Sequence, residues 1–501
     1  MVKAPDRRYT VDLLAKVNSL MSDGKPLREY FMRGAYSLWS MQQFYLFTQI
    51  EIFSKSKNFS SYVDEITPRH GIISRLRLGF FDAIVVLVSG IGVVAARFGA
   101  PVVLIFSSDF LNASPFPNPR LRTIYVALKE RSVLFVELFH ITTMAAFFRN
   151  IIRYRRVGMY REAVATLARL TSSLGARRKA QRLVATLDLR LFTEEEQDFV
   201  RSLIIKTVLR AEESRSSIPM FRALFRFLGV TTYLSVDDFR YIPELMIACE
   251  EAGIPTYVFQ HSNFGYLTGL FTEPPSVYVF PTMYYTWNRY WLRRVQEISP
   301  FFAAHQERIQ VGGRSFTPAT PMTVQRSMAE GDKNPLVVLM PCEVTTTSHQ
   351  VMPYVDAMLT DGRIQILLML RGSVEQINAE MQVTKYVPEA QRHSPQLILM
   401  ESSQRDEALR QCDVVAGVYS GFLDETLETG LPVCILKTDF ININRLDTDN
   451  LATLIDIDKG DVYTQLLGAY HTPDWVLKER RDRVSAGAGD INTTLERIVG
   501  N

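Results

Sequence analysis

The sequence predicts an α/β protein built from two doubly wound halves. Strand and helix patterns alternate twice along the chain, and a polar, proline-containing stretch separates the two runs. Several strands also end in side chains suited to chemistry rather than to packing. The strand runs are short, continuously apolar and bounded by Gly, Pro or polar residues, as expected of strands buried on both faces and hence parallel.

At 501 residues and 47% hydrophobic content, the chain exceeds one core. Domains usually run to roughly 100–200 residues, so two or three are expected. Residues 1–78 read as a helical N-terminal extension, with amphipathic stretches such as "YTVDLLAKVNSLM" and "SLWSMQQFYLFTQIEIF". Residues 79–320 form the first α/β domain. Its strands are expected at "DAIVVLVS" (82–89), "VVLIFSS" (102–108), "VLFVELF" (133–139), "TTYLSV" (231–236), "TYVFQ" (256–260), "SVYVF" (276–280) and "RIQVGG" (308–313), with a helical insertion over about 140–228. After the linker "RSFTPATPMTVQRSMAEGDKN" the second domain occupies 321–501. Its strands are expected at "PLVVLMP", "IQILLML", "QLILM", "DVVAGV" and "PVCIL", and its last part, roughly 461–499, is helical.

Charge is nearly balanced, 56 basic against 53 acidic, which excludes the footprint of a dedicated nucleic-acid binder. The local run "RNIIRYRRVGMYR" (149–161) reads as a solvated helix face or as an anionic-surface contact, such as membrane headgroups or an acidic acceptor. Four scattered cysteines, Cys249, Cys342, Cys412 and Cys434, make neither a zinc site nor a disulfide frame, and a reducing compartment fits. The start, "MVKAPDRRYTVDLL", has no apolar core of signal-peptide type. The apolar tract 80–108 is expected as a strand, a short helix and a second strand, with a re-entrant or spanning segment as the other reading.

Chemistry collects at the strand ends. Asp237 and Asp238 follow "TTYLSV", and His261 follows "TYVFQ" within "YVFQHSNFGY". Each has a plain alternative, a helix cap for an aspartate and a satisfied structural role for the histidine. Together a carboxylate and an imidazole suit proton removal from an attacking hydroxyl, and Gln260 and His261 are expected to reach a cleft between the halves. In "RIQVGGRSF" the paired glycines allow close backbone approach to a ligand, and Arg314 suits an anion. "MPCEVTTTSH" (340–349) offers Glu343 for a hydroxyl and Thr345 for phosphate oxygens, and Arg371 ends the next strand as a diphosphate counter-ion. In "CDVVAGVYSGFLDETLETGLPVCIL" (412–436) a strand ends in Tyr419-Ser420-Gly421 and a helix starts at once, a place that favours phosphate. Glu425, one turn further, suits ribose hydroxyls. Neither a Walker loop nor G-x-G-x-x-G occurs, and H-E-x-x-H and G-x-S-x-G are missing, so kinase, dinucleotide, metalloprotease and esterase readings lose ground.

On these residues the chain resembles the GT-B-fold glycosyltransferases of bacterial surface-polysaccharide assembly, of capsule and teichoic-acid type, such as the CDP-glycerol glycerophosphotransferases. "EEAGIPTYVFQHSNFGY" is similar to their helix–Gly-Ile-Pro–strand–Gln-His-Gly element. "YYTWNRYWLRRV" followed by "RIQVGGRSF" is similar to a strand and helix leading to a Val-Gly turn. "CDVVAGVYSGFLDETLETGLPV" is similar to the donor-binding Asp-Tyr-Ser-Ser…Glu…Gly-x-Pro-Val element. The likeness covers about 230–440. It departs at Ser262 and Val418, where glycine and aspartate are expected, and Gly417 replaces the glutamate of the common retaining arrangement.

The resemblance implies two Rossmann-like domains facing across a cleft, the first binding acceptor and the second nucleotide donor. His261 would stand nearest the catalytic centre, with Asp237 and Asp238 as candidates for activating the acceptor. Arg314, Glu343, Thr345, Arg371, Tyr419, Ser420, Gly421 and Glu425 would bind donor. The expected activity is metal-independent transfer of a sugar from a nucleotide-sugar, with no cofactor, onto a surface glycan or lipid-linked acceptor. The expected place is the cytoplasm, with peripheral association at the inner face of the cell membrane left open. A UDP-sugar epimerase-like isomerase and a catalytically degenerate GT-B glycan- or partner-binding protein are the alternatives.

Overall fold

Continuous apolar runs such as Leu336–Pro341 (LVVLMP) have no polar face to turn to water, so they fill the middle of parallel sheets. In the computed structural model the described residues are 7–56, 72–99, 102–108, 121–140, 159–236, 243–260, 277–315, 335–343, 348–370, 379–418, 420–438 and 446–500. Two small hairpins come first, β1 (Met21–Ser22) with β2 (Lys25–Pro26) and β3 (Met32–Arg33) with β4 (Tyr36–Ser37). The first large sheet holds β5 (Val103–Ser108), β6 (Phe135–His140), β7 (Met159–Tyr160), β8 (Thr232–Val236), β9 (Thr256–Phe259), β10 (Met283–Thr286) and β11 (Ile309–Val311). The second holds β12 (Leu336–Pro341), β13 (Ile364–Met369), β14 (Leu397–Met400), β15 (Val414–Gly417), β16 (Val433–Leu436) and β17 (Thr453–Ile455).

The spatial orders are β7-β6-β5-β8-β9-β10-β11 and β14-β13-β12-β15-β16-β17, with parallel pairings in both sheets. Counted from its own first strand, each sheet runs 3-2-1-4-5-6, and the first adds one strand beyond. The winding therefore reverses between β5 and β8, and again between β12 and β15. Such reversals open a crevice at the carboxyl ends of those strands. The fold class is the expected one, α/β with two Rossmann-like domains.

The helices are α1 (Arg7–Asn18), α2 (Gln43–Ser56), α3 (Ile72–Gly99), α4 (Arg122–Glu130), α5 (Arg161–Ala185), α6 (Glu194–Leu228), α7 (Pro243–Ala252), α8 (Arg289–Ile298), α9 (Pro300–Ala303), α10 (Ser348–Asp361), α11 (Ala379–Tyr386), α12 (Arg405–Gln411), α13 (Gly421–Leu427), α14 (Val462–Tyr470), α15 (Asp474–Ser485) and α16 (Ile491–Val499). The longest, α6, is written locally at both ends. Thr193 and Glu196 form a capping box, Glu194, Glu195 and Glu196 fill the positive first turn, and Gly229 closes it at φ 75°. The N-terminal helices are not a separate body. Leu13, Leu46 and Phe53 share one core with Leu104 and Phe106 of β5, and the Phe53 ring stacks on Phe199 of α6 at 4.1 Å.

Two expected strands are absent, and the expected helical insertion over about 140–228 contains edge strand β7. Residues 82–89 are not a strand but the middle of α3, a 28-residue helix. An apolar run without alternation does not distinguish a buried strand from a helix, and Gly90 and Gly92 cost the helix about 1 kcal/mol each without ending it. Of the expected strand 276–280, the described residues 277–280 are not a strand either. Tyr278, Val279 and Phe280 are buried outside the sheet, the rings of Tyr278 and Phe280 against Phe301 of α9, while β10 forms from Met283 onward.

The last helix does not stay with the second sheet. Val484 at the end of α15 belongs to a core of the second domain, whereas Ile491, Leu495 and Ile498 of α16 pack with Val103, Ile105, Tyr125 and Leu128 of the first. Burying those three side chains contributes on the order of 6 kcal/mol. The crossing chain passes directly over the Gly312-Gly313 turn after β11. A Cβ on Gly312 would lie 2.6 Å from the Tyr285 ring, and one on Gly313 would lie 2.6 Å from the Gly489 carbonyl oxygen. Gly313 also has φ +89°, so it is constrained twice. Gly253→Ala, at φ +75° with open space around its Cβ position, should cost about 1 kcal/mol. Gly313→Ala should cost roughly 2–4 kcal/mol, because strain and overpacking add. Equal drops in melting temperature for the two variants would contradict this account.

Candidate functional site

The second sheet's crevice lies where β12 and β15 end side by side. Past β12 come Cys342 and Glu343, and past β15 come Val418 and Ser420. Glu343 is 4% exposed, and its carboxylate lies in the turn after β15. The Val418 amide donates to Glu343 Oε1 at 3.1 Å and Oε2 at 3.0 Å, and the Ser420 amide donates to Oε1 at 2.6 Å. Gly417 makes room, since a Cβ there would stand 3.1 Å from Glu343 Oε1. Ser420 caps α13, its hydroxyl accepting from the Phe422 amide at 3.3 Å. Glu343 thus occupies the amides of the turn that the sequence offers to phosphate. In this arrangement the carboxylate is an acceptor for backbone amides of that turn.

The neighbouring candidates are also partnered. Gly421 opens α13, as expected. Glu425, one turn in, is held by Arg405 of α12, whose guanidinium lies 5.6 Å over the Phe422 ring. Arg314 does not join Glu343 and Ser420. It stacks 4.5 Å over the Trp287 ring and pairs with Glu428 beyond the far end of α13, joining the two domains. Burial pushes the Glu428 carboxyl above its usual range, Arg314 pulls it back, and Glu425 adds to the rise. Thr345, Arg371, Tyr419, His261, Asp237 and Asp238 lie outside the described residues. By chain position, the aspartates follow β8 at the first sheet's winding reversal and His261 follows β9.

Gln260 resolves differently from its expected place in the cleft. It is fully buried, its amide donates to the Tyr285 carbonyl, and its side-chain oxygen accepts from the Trp287 amide at 3.1 Å. Its carbonyl also accepts from the Trp287 indole at 2.8 Å. The polar end of that strand therefore clamps the end of β10. Other ties between the domains went unread in the sequence. Asn288 caps α8 and donates to the Val484 carbonyl, Tyr290 donates to Asp449 at 3.2 Å, and Arg294 pairs with Asp449 at 3.1 Å. The pattern Asn-x-x-Trp at a helix start could have revealed the cap, but not the partner on the other domain. Among the described residues no cluster of three His, Cys, Asp or Glu side chains is arranged to hold a metal.

No family model matches the chain, and no curated protein matches it by sequence. Solved structures do resemble it in shape. The MnaA–UDP co-structure from S. aureus is 10% identical at a TM-score of 0.46, covering 79% of this chain and 94% of that one. MurG of Acinetobacter baumannii is 11% identical at 0.44, covering 80% and 100%. A glycotransferase of kitacinnamycin is 14% identical at 0.43, covering 79% and 98%. The two-domain architecture itself rests on the strand orders.

The Arg314–Glu428 pair makes a sharp prediction. Arg314→Leu leaves a carboxylate that is 17% exposed without its cation and should cost about 2–3 kcal/mol. Adding Glu428→Gln should restore part of that loss. Because the folded-state carboxyl is already raised, the deficit of Arg314→Leu should shrink as pH falls and Glu428 takes up its proton. Additive losses in the double variant, or a deficit that grows with acid, would rule the pairing out as the tie between domains.

Proposed function

We propose that the protein transfers a glycosyl group from a nucleotide-sugar to a hydroxyl acceptor, without a metal. The observation that supports this reading is the doubled winding reversal: two Rossmann-like sheets in one chain, each reversing at the point where such sheets take ligands beyond their strand ends. One crevice suits a nucleotide and the other an acceptor. The acceptor oxygen attacks the donor carbon, and the bond from that carbon to the diphosphate oxygen breaks. His261, or one of the pair Asp237 and Asp238, takes the hydroxyl proton. Arg371 and the turn at Ser420-Gly421 stabilise the departing nucleoside diphosphate, with Thr345 and Tyr419 beside it. For phosphate to use the turn amides, the Glu343 carboxylate has to leave them. A surface glycan or a lipid-linked acceptor is the acceptor class, and the enzyme works in the cytoplasm at the inner face of the membrane.

A thermal-shift screen with UDP, GDP, CDP, CMP and ADP tests the donor half, since a ligand that binds only the folded chain raises its stability. One nucleotide should stand out, and silence from all five at millimolar concentration would overturn the reading. Turnover of the matching nucleotide-sugar should require an acceptor and survive chelator. Interconversion of sugar epimers with no acceptor would make the protein an isomerase instead, and binding without product would make it a binding protein. His261→Ala should lower turnover by roughly 100-fold or more while the nucleotide shift persists.

A further inference from the structure

Helix α3 has two faces, and both are apolar. On the inner side Val85 is buried against Phe139, Tyr160 and Ala163, and the Ser89 hydroxyl accepts from the Tyr160 amide of edge strand β7 at 3.2 Å. On the outer side Leu87, Ile91, Val94 and Phe98 are 66%, 53%, 54% and 87% exposed. Their spacing of four, three and four residues makes one stripe along the helix. A helix packed on a water-soluble domain turns polar residues outward, yet from Ala83 to Ala96 this one carries no ionisable residue at all. Over Phe81–Gly99 only 17% of the residues are buried.

We infer that this stripe is a membrane-docking surface, with α3 lying in the plane of an anionic bilayer's headgroup boundary. The charges fit that occupant. Arg75 and Arg77 precede the apolar stretch, Arg97 follows it, and Asp82 is the one acid in the whole helix. Cations at both ends suit anionic headgroups, while the apolar residues between them enter the acyl boundary. Arg97 lies 5.8 Å over the Phe227 ring, itself 54% exposed, which extends the patch onto the end of α6.

The helix is long enough to cross a bilayer, but its connections forbid a single crossing. Leu13, Leu46 and Phe53 precede it, Leu104 and Phe106 follow it, and all five share one core. A single pass would put those flanks on opposite sides.

The test uses the full chain and sedimentation with vesicles of equimolar phosphatidylcholine and phosphatidylglycerol. The paired substitution Ile91→Asp with Phe98→Asp alters two exposed positions, so the melting temperature should not change while partitioning falls roughly tenfold or more. Part of the wild-type binding should survive molar salt. In Phe98→Cys an environment-sensitive thiol dye should shift to the blue on adding vesicles, and labelling is selective because all four native cysteines are buried. Unchanged pelleting of the double variant, or complete release by salt, would overturn the inference. So would a dimer in lipid-free solution that the same variant abolishes while vesicles bind nothing. Vesicle binding needs no donor or turnover, so its outcome is separate from that of the transfer reaction.

Discussion

The architecture depends on a backbone-to-backbone crossing. After the second domain is complete, the chain returns over the Gly312-Gly313 turn and delivers α16 to the first domain's sheet. The approach is possible because no side chain stands at Gly312, Gly313 or Gly489. Around this point Thr494 donates to the Gly312 carbonyl at 2.9 Å, and the Gly489 amide donates to the Trp287 carbonyl at 3.1 Å. Polar contacts from Arg314, Tyr290 and Arg294 then set the second domain beyond β10 and β11. Relative placement of the two crevices follows from these contacts rather than from either sheet alone.

Within the second crevice, electrostatics and backbone geometry converge on Glu343. Converging amides after a strand attract an anion, and here the chain supplies one itself. The carboxylate satisfies donors that would otherwise be buried without acceptors, a situation that costs about 1–3 kcal/mol per group. It also sets a condition for any phosphate ligand, because two anions do not share the same pair of amides. Glu425 and Arg405 repeat the pattern one turn further along, each neutralised by a near neighbour.

The first domain carries an unusual division of labour. Its sheet and N-terminal helices share a large core, so α3 is not needed to cover that core with both faces. One face packs against β7, and the other leaves Leu87, Ile91, Val94 and Phe98 exposed. The same helix explains why hydropathy alone was ambiguous over residues 80–108. Between Ala83 and Ala96 the helix carries no charge on either side, and the buried strand β5 (Val103–Ser108) follows it, so two different elements share one apolar signal.

Much was legible in the sequence because it is locally encoded. Short apolar runs bounded by turn residues, such as LVVLMP and VVAG, mark strands of the second sheet, and the Ser420 turn marks the start of α13. Those signals depend on neighbours within a few residues. Partners far along the chain are different. Nothing near Gln260 indicates that it clamps Trp287, nothing near the glycine pair tells a ligand from the chain's own return, and nothing near Arg314 indicates Glu428. The alternation of strand and helix was decided by the sequence itself. Which polar groups face solvent, substrate or each other was decided only by tertiary structure, because hydrogen bonds and ion pairs depend on distances that chain order does not contain.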